Sequence, residues 1–192
     1  GNNPQSSQHL GYSGTKSSVQ LLSDVTLTQT ERLATGISEF DRVLGGGIVR
    51  GSMVLIGGTP GAGKSTLLLQ VIANLAIQDI SVLYVSGEES LQQIAERAIR
   101  LGLPLNKINM LTETSVQSIC NTLDELKPKI LVIDSIQVMH TQTSESTPGS
   151  VSQVKESASY LTQYAKKNDV SVFMVGHVTK DQSLAGPMTL SH

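Results

Sequence analysis

Short apolar runs alternate with longer amphipathic segments from about residue 50 onward. Uninterrupted apolar runs predict strands buried on both faces, whereas apolar residues at helical spacing predict helices packed on one side. Strands separated by helices in this way predict an α/β fold with a mainly parallel sheet covered by helices on both faces. The predicted strands are 53–56, 82–86, 108–111, 130–133 and 170–175, and the predicted helices between them are 66–76, 90–101, 115–126 and 151–165.

Serines precede several of these helices, where a hydroxyl can accept a hydrogen bond from the first turn. Ser90 and Ser115 are expected to cap in this way. Ser38, with Asp41 three residues on, has the spacing of a capping box and predicts a short helix that ends near residue 44.

The two ends of the chain differ in composition from its centre. Residues 1–30 are rich in Ser, Gln, Asn, Gly and Thr and lack sustained periodicity, so we expect a flexible leader there. Residues 31–192 are enough for one α/β domain, in which 179–192 are loop-like.

The net charge, the cysteine count and the lack of long apolar runs argue against several classes of protein for this sequence. The net charge of −2 lacks the overall basic character of many nucleic-acid-binding domains. The one cysteine, Cys120, excludes a disulfide framework or a cysteine-based zinc site within this sequence, and we expect its side chain to be buried. The sequence has no apolar run of membrane-spanning length and no signal-peptide pattern, so a cytoplasmic protein is the simplest expectation.

Residues 58–65 match the phosphate-binding pattern G-x-x-x-x-G-K-[ST] in full, between a predicted strand and a predicted helix. Glycines let successive backbone N–H groups converge on a phosphate, and the helix N-terminus adds partial positive charge. Lys64 would reach the β- and γ-phosphates, and Ser65 would bind Mg²⁺. The pattern predicts bound ATP with Mg²⁺; the alternative is a glycine-rich turn with a chance Lys-Ser. The expected nucleotide contacts are Gly58, Thr59, Pro60, Gly61, Ala62, Gly63, Lys64, Ser65 and Thr66.

Asp134 ends the apolar run 130–133 and would lie at the same sheet edge as this loop. A carboxylate there can hold the magnesium shell, as a Walker B aspartate does. The alternative is a strand-end aspartate that caps a turn. We expect Ser65 and Asp134 to form the metal site.

ATP hydrolysis also needs a group that orients or deprotonates the attacking water. In many P-loop ATPases a glutamate follows the Walker B aspartate, but here Ser135 does. Glu88 and Glu89 follow the predicted strand 82–86, and we expect Glu88 to be catalytic, with Glu89 second, if that strand lies beside the phosphate-loop strand. Alternatively, both glutamates only stabilise the next helix, because negative charge is favourable near a helix N-terminus.

Polar residues also follow the last predicted strand, 170–175. His177 could sense the γ-phosphate, with a neutral surface histidine as the alternative. The loops 139–150 and 178–187 could face single-stranded DNA in the channel of a ring, with Lys180 as the contact. Ordinary surface loops would have the same spacing.

Longer blocks of the sequence, including Tyr84-Val-Ser-Gly-Glu-Glu-Ser-Leu-Gln-Gln, resemble the RadA (Sms) family of bacterial DNA repair proteins over about residues 20–187. The blocks are 33–52, 57–66, 84–93, 132–139, 146–154 and 175–181.

The resemblance implies a P-loop NTPase of RecA-like fold, which forms a homo-hexameric ring, binds single-stranded DNA and drives branch migration in homologous recombination alongside the RecA recombinase. It implies nucleotide contacts at 59–66, with Lys64, Glu88 and His177 as the catalytic and γ-phosphate-sensing residues. It also implies magnesium at Ser65 and Asp134, and places Lys180 in a DNA-facing loop.

The sequence departs from the family pattern in several places. It lacks the family's four-cysteine zinc motif, so we expect no zinc. It ends before the family's Lys-Asn-Arg-Phe-Gly motif and Lon-protease-like domain, so we expect an ATPase domain truncated at its C-terminus. Gln182 replaces a usual glycine, and Met188 replaces a usual basic residue.

Two other function classes stay open. One is a KaiC-like regulatory ATPase whose partners are proteins. The other is a small-molecule phosphotransferase, which usually carries arginines in a lid over the phosphates. This last class ranks lowest, because no arginine lies in a loop that follows a phosphate-facing strand. The arginines are Arg32, Arg42, Arg50, Arg97 and Arg100.

Overall fold

The computed structural model describes residues 17–27, 30–58, 62–142, 145–177 and 189–190. Most of the expected leader and residues Thr59, Pro60, Gly61, Lys180, Gln182 and Met188 lie outside these ranges, so the expectations for them stay predictions. The chain divides into two units, 1–30 and 31–192. The described part of the first unit contains one 3₁₀ turn, Leu22–Asp24.

The second unit alternates strands and helices along most of its length. Its strands are β1 (Arg32–Leu33), β2 (Ile48–Val49), β3 (Met53–Gly58), β4 (Val82–Ser86), β5 (Asn109–Thr112), β6 (Ile130–Asp134), β7 (Ser171–His177) and β8 (Thr189–Leu190). Its helices are α1 (Ser38–Val43), α2 (Ala62–Ile77), α3 (Leu91–Arg100), α4 (Val116–Leu126) and α5 (Val151–Asn168). None of these helices is long and apolar enough to cross a membrane.

Six strands form one parallel sheet in the order β5-β4-β6-β7-β3-β8. The predicted α/β fold with a parallel sheet is therefore confirmed. Because neighbouring parallel strands end at the same edge, β4, β6, β7 and β3 bring their last residues together. The register places Ser86 opposite Asp134, Asp134 opposite Val175, and Gly58 opposite His177.

Helices cover both faces of this sheet, as the continuous apolar strands predict. Alternate residues of each strand point to opposite faces, so Tyr84 packs with α2 and α3 while Val85 packs with α4 and α5. Helix α2 is buried along most of its length, which explains why its sequence is apolar nearly all round.

The helix caps agree with the sequence at two of the three serines. The side chains of Ser90 and Ser115 accept hydrogen bonds from the third residue of α3 and α4. The prediction for Ser38 is wrong, because Ile37 occupies the N-cap of α1 without a side-chain bond. Asp41 Oδ1 instead accepts a hydrogen bond from the Thr35 backbone N–H at 2.8 Å, which fixes the chain that enters the helix.

Two further expectations need correction. The interpretation of 179–192 as loop is wrong at Thr189–Leu190, which pairs with Leu55 and Ile56 of β3. Strand β4 does not lie beside β3, since β6 and β7 separate them.

Candidate nucleotide-binding site

The start of helix α2 places two of the predicted site residues over the sheet edge. Lys64 and Ser65 lie in its first turn and are 9% and 6% exposed. Gly58 ends β3 with φ of 149°, and a Cβ there would lie 2.5 Å from Lys64 Nζ. Only glycine therefore lets the ammonium group lie against the strand end. The structure brings Gly58, Lys64 and Ser65 together as the phosphate-loop pattern predicts.

Ser65 reaches across the sheet edge to Asp134. Its Oγ donates a hydrogen bond to Asp134 Oδ2 at 2.5 Å. Asp134 is 7% exposed and ends β6, which is separated from β3 by β7. Helix α2 starts above these strands, and this is how residues from non-adjacent strands share one site. Hydroxyl and carboxylate oxygens are the hard ligands that Mg²⁺ prefers, so this pair fits the predicted metal.

Sequence reasoning missed a third member of this cluster, Tyr84 in the middle of β4. Its hydroxyl donates a hydrogen bond to the same Asp134 Oδ2, also at 2.5 Å. Burial, and then the Asp134 charge, raise the pKa of Tyr84 well above its usual value, so the phenol stays a donor. A phenol in the middle of a fully buried strand, with apolar residues on either side, was the signal that could have revealed it.

The structure separates the two neighbouring glutamates. Glu89 accepts two hydrogen bonds from the Arg97 guanidinium, both at 2.9 Å. The bond to Glu89 raises the pKa of Arg97, with a smaller opposing effect from burial. Glu88 is exposed, and its Oε1 accepts a hydrogen bond from Ser135 Oγ at 3.4 Å. Glu88 therefore lies beside the end of β6, while Glu89 is held by α3.

His177 ends β7 directly beside Gly58 of β3 and is half-buried. Its backbone oxygen accepts a hydrogen bond from Gln137 Nε2 at 3.1 Å. Gln137 lies in the 3₁₀ turn Ile136–Val138 that follows β6, and sequence reasoning gave it no role. The contact joins the strand end that carries His177 to the start of the loop 139–150.

The loop 139–150 is itself attached to helix α5. With its oxygen toward Thr141, the buried Gln153 amide accepts hydrogen bonds from Thr141 N at 3.0 Å and from Ser157 Oγ at 3.3 Å. Its nitrogen then donates to Ser146 O at 3.1 Å. Gln153 of α5 thus holds the described residues on both sides of the gap in this loop.

The known proteins similar to this chain are an ATPase family and a group of bacterial DNA repair proteins. The family described as "ATPase: KaiC" matches residues 33–114. "DNA repair protein RadA" of Haemophilus influenzae is 61% identical over 95% of this chain and 40% of its own length. The proteins of the same name from Escherichia coli and Bacillus subtilis are 60% and 48% identical, over 95% and 94% of this chain and 40% of their own lengths.

The chain thus spans about 40% of the length of the curated relatives it matches. The residues that match the "ATPase: KaiC" family, 33–114, include the phosphate-binding loop and the glutamates after β4. Three observations are consistent with an ATPase domain of this kind. They are the parallel sheet, the contact of Ser65 with Asp134, and the similarity to proteins from several bacteria. The chain belongs to the RadA family, and its fold is that of a RecA-like ATPase domain.

Proposed function

We propose that this domain binds ATP with Mg²⁺ and hydrolyses it as the motor of a DNA-dependent ATPase in homologous recombination and DNA repair. The observation that carries the proposal is the 2.5 Å contact of Ser65 Oγ with Asp134 Oδ2, next to the buried Lys64. A buried ammonium group, a hydroxyl and a carboxylate at a helix N-terminus match the chemistry of a magnesium triphosphate.

Each side chain has a distinct part in the proposed reaction. Lys64 binds the β- and γ-phosphates, and Ser65 and Asp134 hold the metal, which when bound neutralises charge on the phosphate oxygens. Glu88 orients the attacking water and accepts its proton, because it is exposed and lies beside the Asp134 strand end. Glu89 is the weaker candidate, since its carboxylate is paired with Arg97.

His177 completes the proposed site as the sensor of the γ-phosphate. Its place opposite Gly58 supports this role, and the bond from Gln137 to its backbone gives a route to the loop 139–150. We propose that this loop and the segment containing Lys180 contact single-stranded DNA.

The wider assignments rest on the relatives, which are named DNA repair proteins. We propose that the longer protein forms a homo-hexameric ring, cooperates with the RecA recombinase and moves branched DNA. Cytoplasmic location is part of the same proposal.

The match to "ATPase: KaiC" favours a second candidate, a regulatory ATPase that acts on protein partners. DNA binding separates the two. Single-strand affinity that weakens steeply with added salt supports the motor, because phosphate contacts release counterions. Salt-independent or absent affinity in the longer protein supports the regulatory ATPase.

Lys64→Ala and Glu88→Gln test the proposed chemistry, with Glu89→Gln as the comparison. Lys64→Ala should abolish binding of fluorescent ADP, since it removes the charge that faces the phosphates. Glu88→Gln should keep ADP binding and lower ATP turnover about 100-fold or more, in the range for loss of a general base. Glu89→Gln should lower turnover far less. Normal turnover in Glu88→Gln would exclude Glu88 as the base.

A further inference from the structure

We infer that Tyr84 is a positioning residue for magnesium binding, and that its hydroxyl fixes the orientation of the Asp134 carboxylate. The inference rests on the proposed function, because it concerns how the same site holds MgADP or MgATP. It assigns a role to a side chain that lies in the core and was not expected to take part in the site.

Two hydroxyl groups meet at one oxygen of the Asp134 carboxylate. Asp134 Oδ2 accepts hydrogen bonds from two hydroxyls, Tyr84 and Ser65, each at 2.5 Å. Two donors on one oxygen fix the rotation of the carboxylate group. In that fixed orientation the Asp134 carboxylate would hold the water shell of a nucleotide-bound Mg²⁺.

The setting of Tyr84 shows that its hydroxyl does more than fill space. Tyr84 is 0% exposed, and the rest of β4 is apolar except for its last residue, Ser86. A hydroxyl buried without a partner is costly, and phenylalanine would fill the same space without that requirement. The phenol is tolerated here because Asp134, which is 7% exposed, needs donors to stabilise its charge.

Side chains that orient metal ligands commonly change metal affinity by about 10- to 100-fold when they are removed. Tyr84→Phe removes only the hydroxyl. We expect the Mg²⁺ concentration for half-maximal ADP binding to rise about 10-fold, at the low end of that range because Ser65 still bonds Oδ2. Binding of ADP in EDTA should stay within about 2-fold of the wild type, because the phosphate loop is untouched.

The chain offers a matched control. Tyr164 on α5 also donates its hydroxyl to an aspartate, Asp124 of α4, outside the cluster around Asp134. Tyr164→Phe therefore makes the same chemical change at another phenol–carboxylate pair, and it should leave the Mg²⁺ dependence unchanged.

The experiment is a Mg²⁺ titration of fluorescent ADP binding to wild type, Tyr84→Phe and Tyr164→Phe, with melting temperatures of the nucleotide-free proteins. A raised Mg²⁺ requirement in Tyr84→Phe alone, with EDTA binding retained, supports the inference. An unchanged requirement overturns it, and so does equal weakening with and without Mg²⁺, which indicates only a packing defect. Tyr84→Met repeats the test if Tyr84→Phe does not fold.

The wild type and Lys64→Ala separate the two levels of the proposal. Wild-type ADP binding that Mg²⁺ strengthens and that is lost in Lys64→Ala supports the nucleotide site, and an unchanged Tyr84→Phe titration then overturns the role of Tyr84 alone. A wild-type chain that binds no ADP overturns the proposed function and this inference together.

Discussion

Gly87 allows a sharp test of how the packing under the site positions Glu88. It lies between the end of β4 and Glu88, and its backbone N–H donates to Asp134 O at 3.0 Å. A Cβ added at Gly87 would lie 2.4 Å from Val138 Cγ2, and the next nearest atom, Thr114 Cγ2, is at 3.2 Å. The Gly87→Ala change therefore creates one severe contact.

The size of the effect follows from that distance. Ordinary carbon contacts begin near 3.5 Å, so the 2.4 Å contact requires a movement of about 1 Å. Overpacking of this kind costs about 2 kcal/mol of unfolding free energy. A shift of about 1 Å at the neighbouring glutamate can lower turnover about 100-fold, although the phosphate loop still binds ADP.

Val138→Ala provides the rescue, because it removes the methyl group that Gly87→Ala would meet. Val138 is partly buried, so the single change should cost about 1 kcal/mol. The double variant should then be at least about 1 kcal/mol more stable than the sum of the two single effects predicts. Urea unfolding followed by circular dichroism measures this, since the chain has no tryptophan.

Two results would contradict this prediction. Gly87→Ala could match the wild type in urea midpoint and ATP turnover, which would show that the strand end moves freely. Alternatively, Val138→Ala could add its full cost to Gly87→Ala, which would place the clash elsewhere.

Two predictions concern residues outside the site. Burial raises the pKa of the Cys120 thiol to about 11 from a usual value near 9, so the unfolded chain loses this proton first as pH rises. The contribution of this thiol to the free energy of unfolding is therefore fully present below about pH 9 and falls between about pH 9 and 11. Over that pH range, the urea midpoint should drop more in the wild type than in Cys120→Ala. Leu75→Ala should cost about 3 kcal/mol because Leu75 in α2 is fully buried, whereas Leu101→Ala, at a residue 36% exposed, should cost about 1 kcal/mol or less by the same urea assay.

The sequence predicts strands best where burial alone decides them. Strand β4 has the predicted bounds, and β6 extends one residue further to Asp134, because both are buried throughout. Strand β3 continues past the predicted end at Ile56 to Gly58, since pairing with β7 supports glycines that carry no apolar signal. Strand β8 has two residues held only by pairing with β3, so no periodicity could reveal it.

In the candidate site, too, the sequence predicts features that depend on neighbouring residues and misses those that depend on distant ones. The glycine pattern predicted that Gly58, Lys64 and Ser65 belong to one site, because the loop and the helix are contiguous in sequence. The sequence could not separate Glu88 from Glu89, because the difference is the Arg97 side chain on the next helix. Tyr84 was missed because its partner, Asp134, lies on another strand.

The pairing of β3 with β7 has a consequence for how the protein is made. Met53 lies opposite Val172, so the strand that leads into the phosphate loop gains this neighbour only after most of the domain has left the ribosome. Contacts so distant along the chain form slowly, because the intervening segment must first be ordered. Nucleotide would therefore bind only a nearly complete chain, and by binding it would stabilise the pairing of β3 with β7.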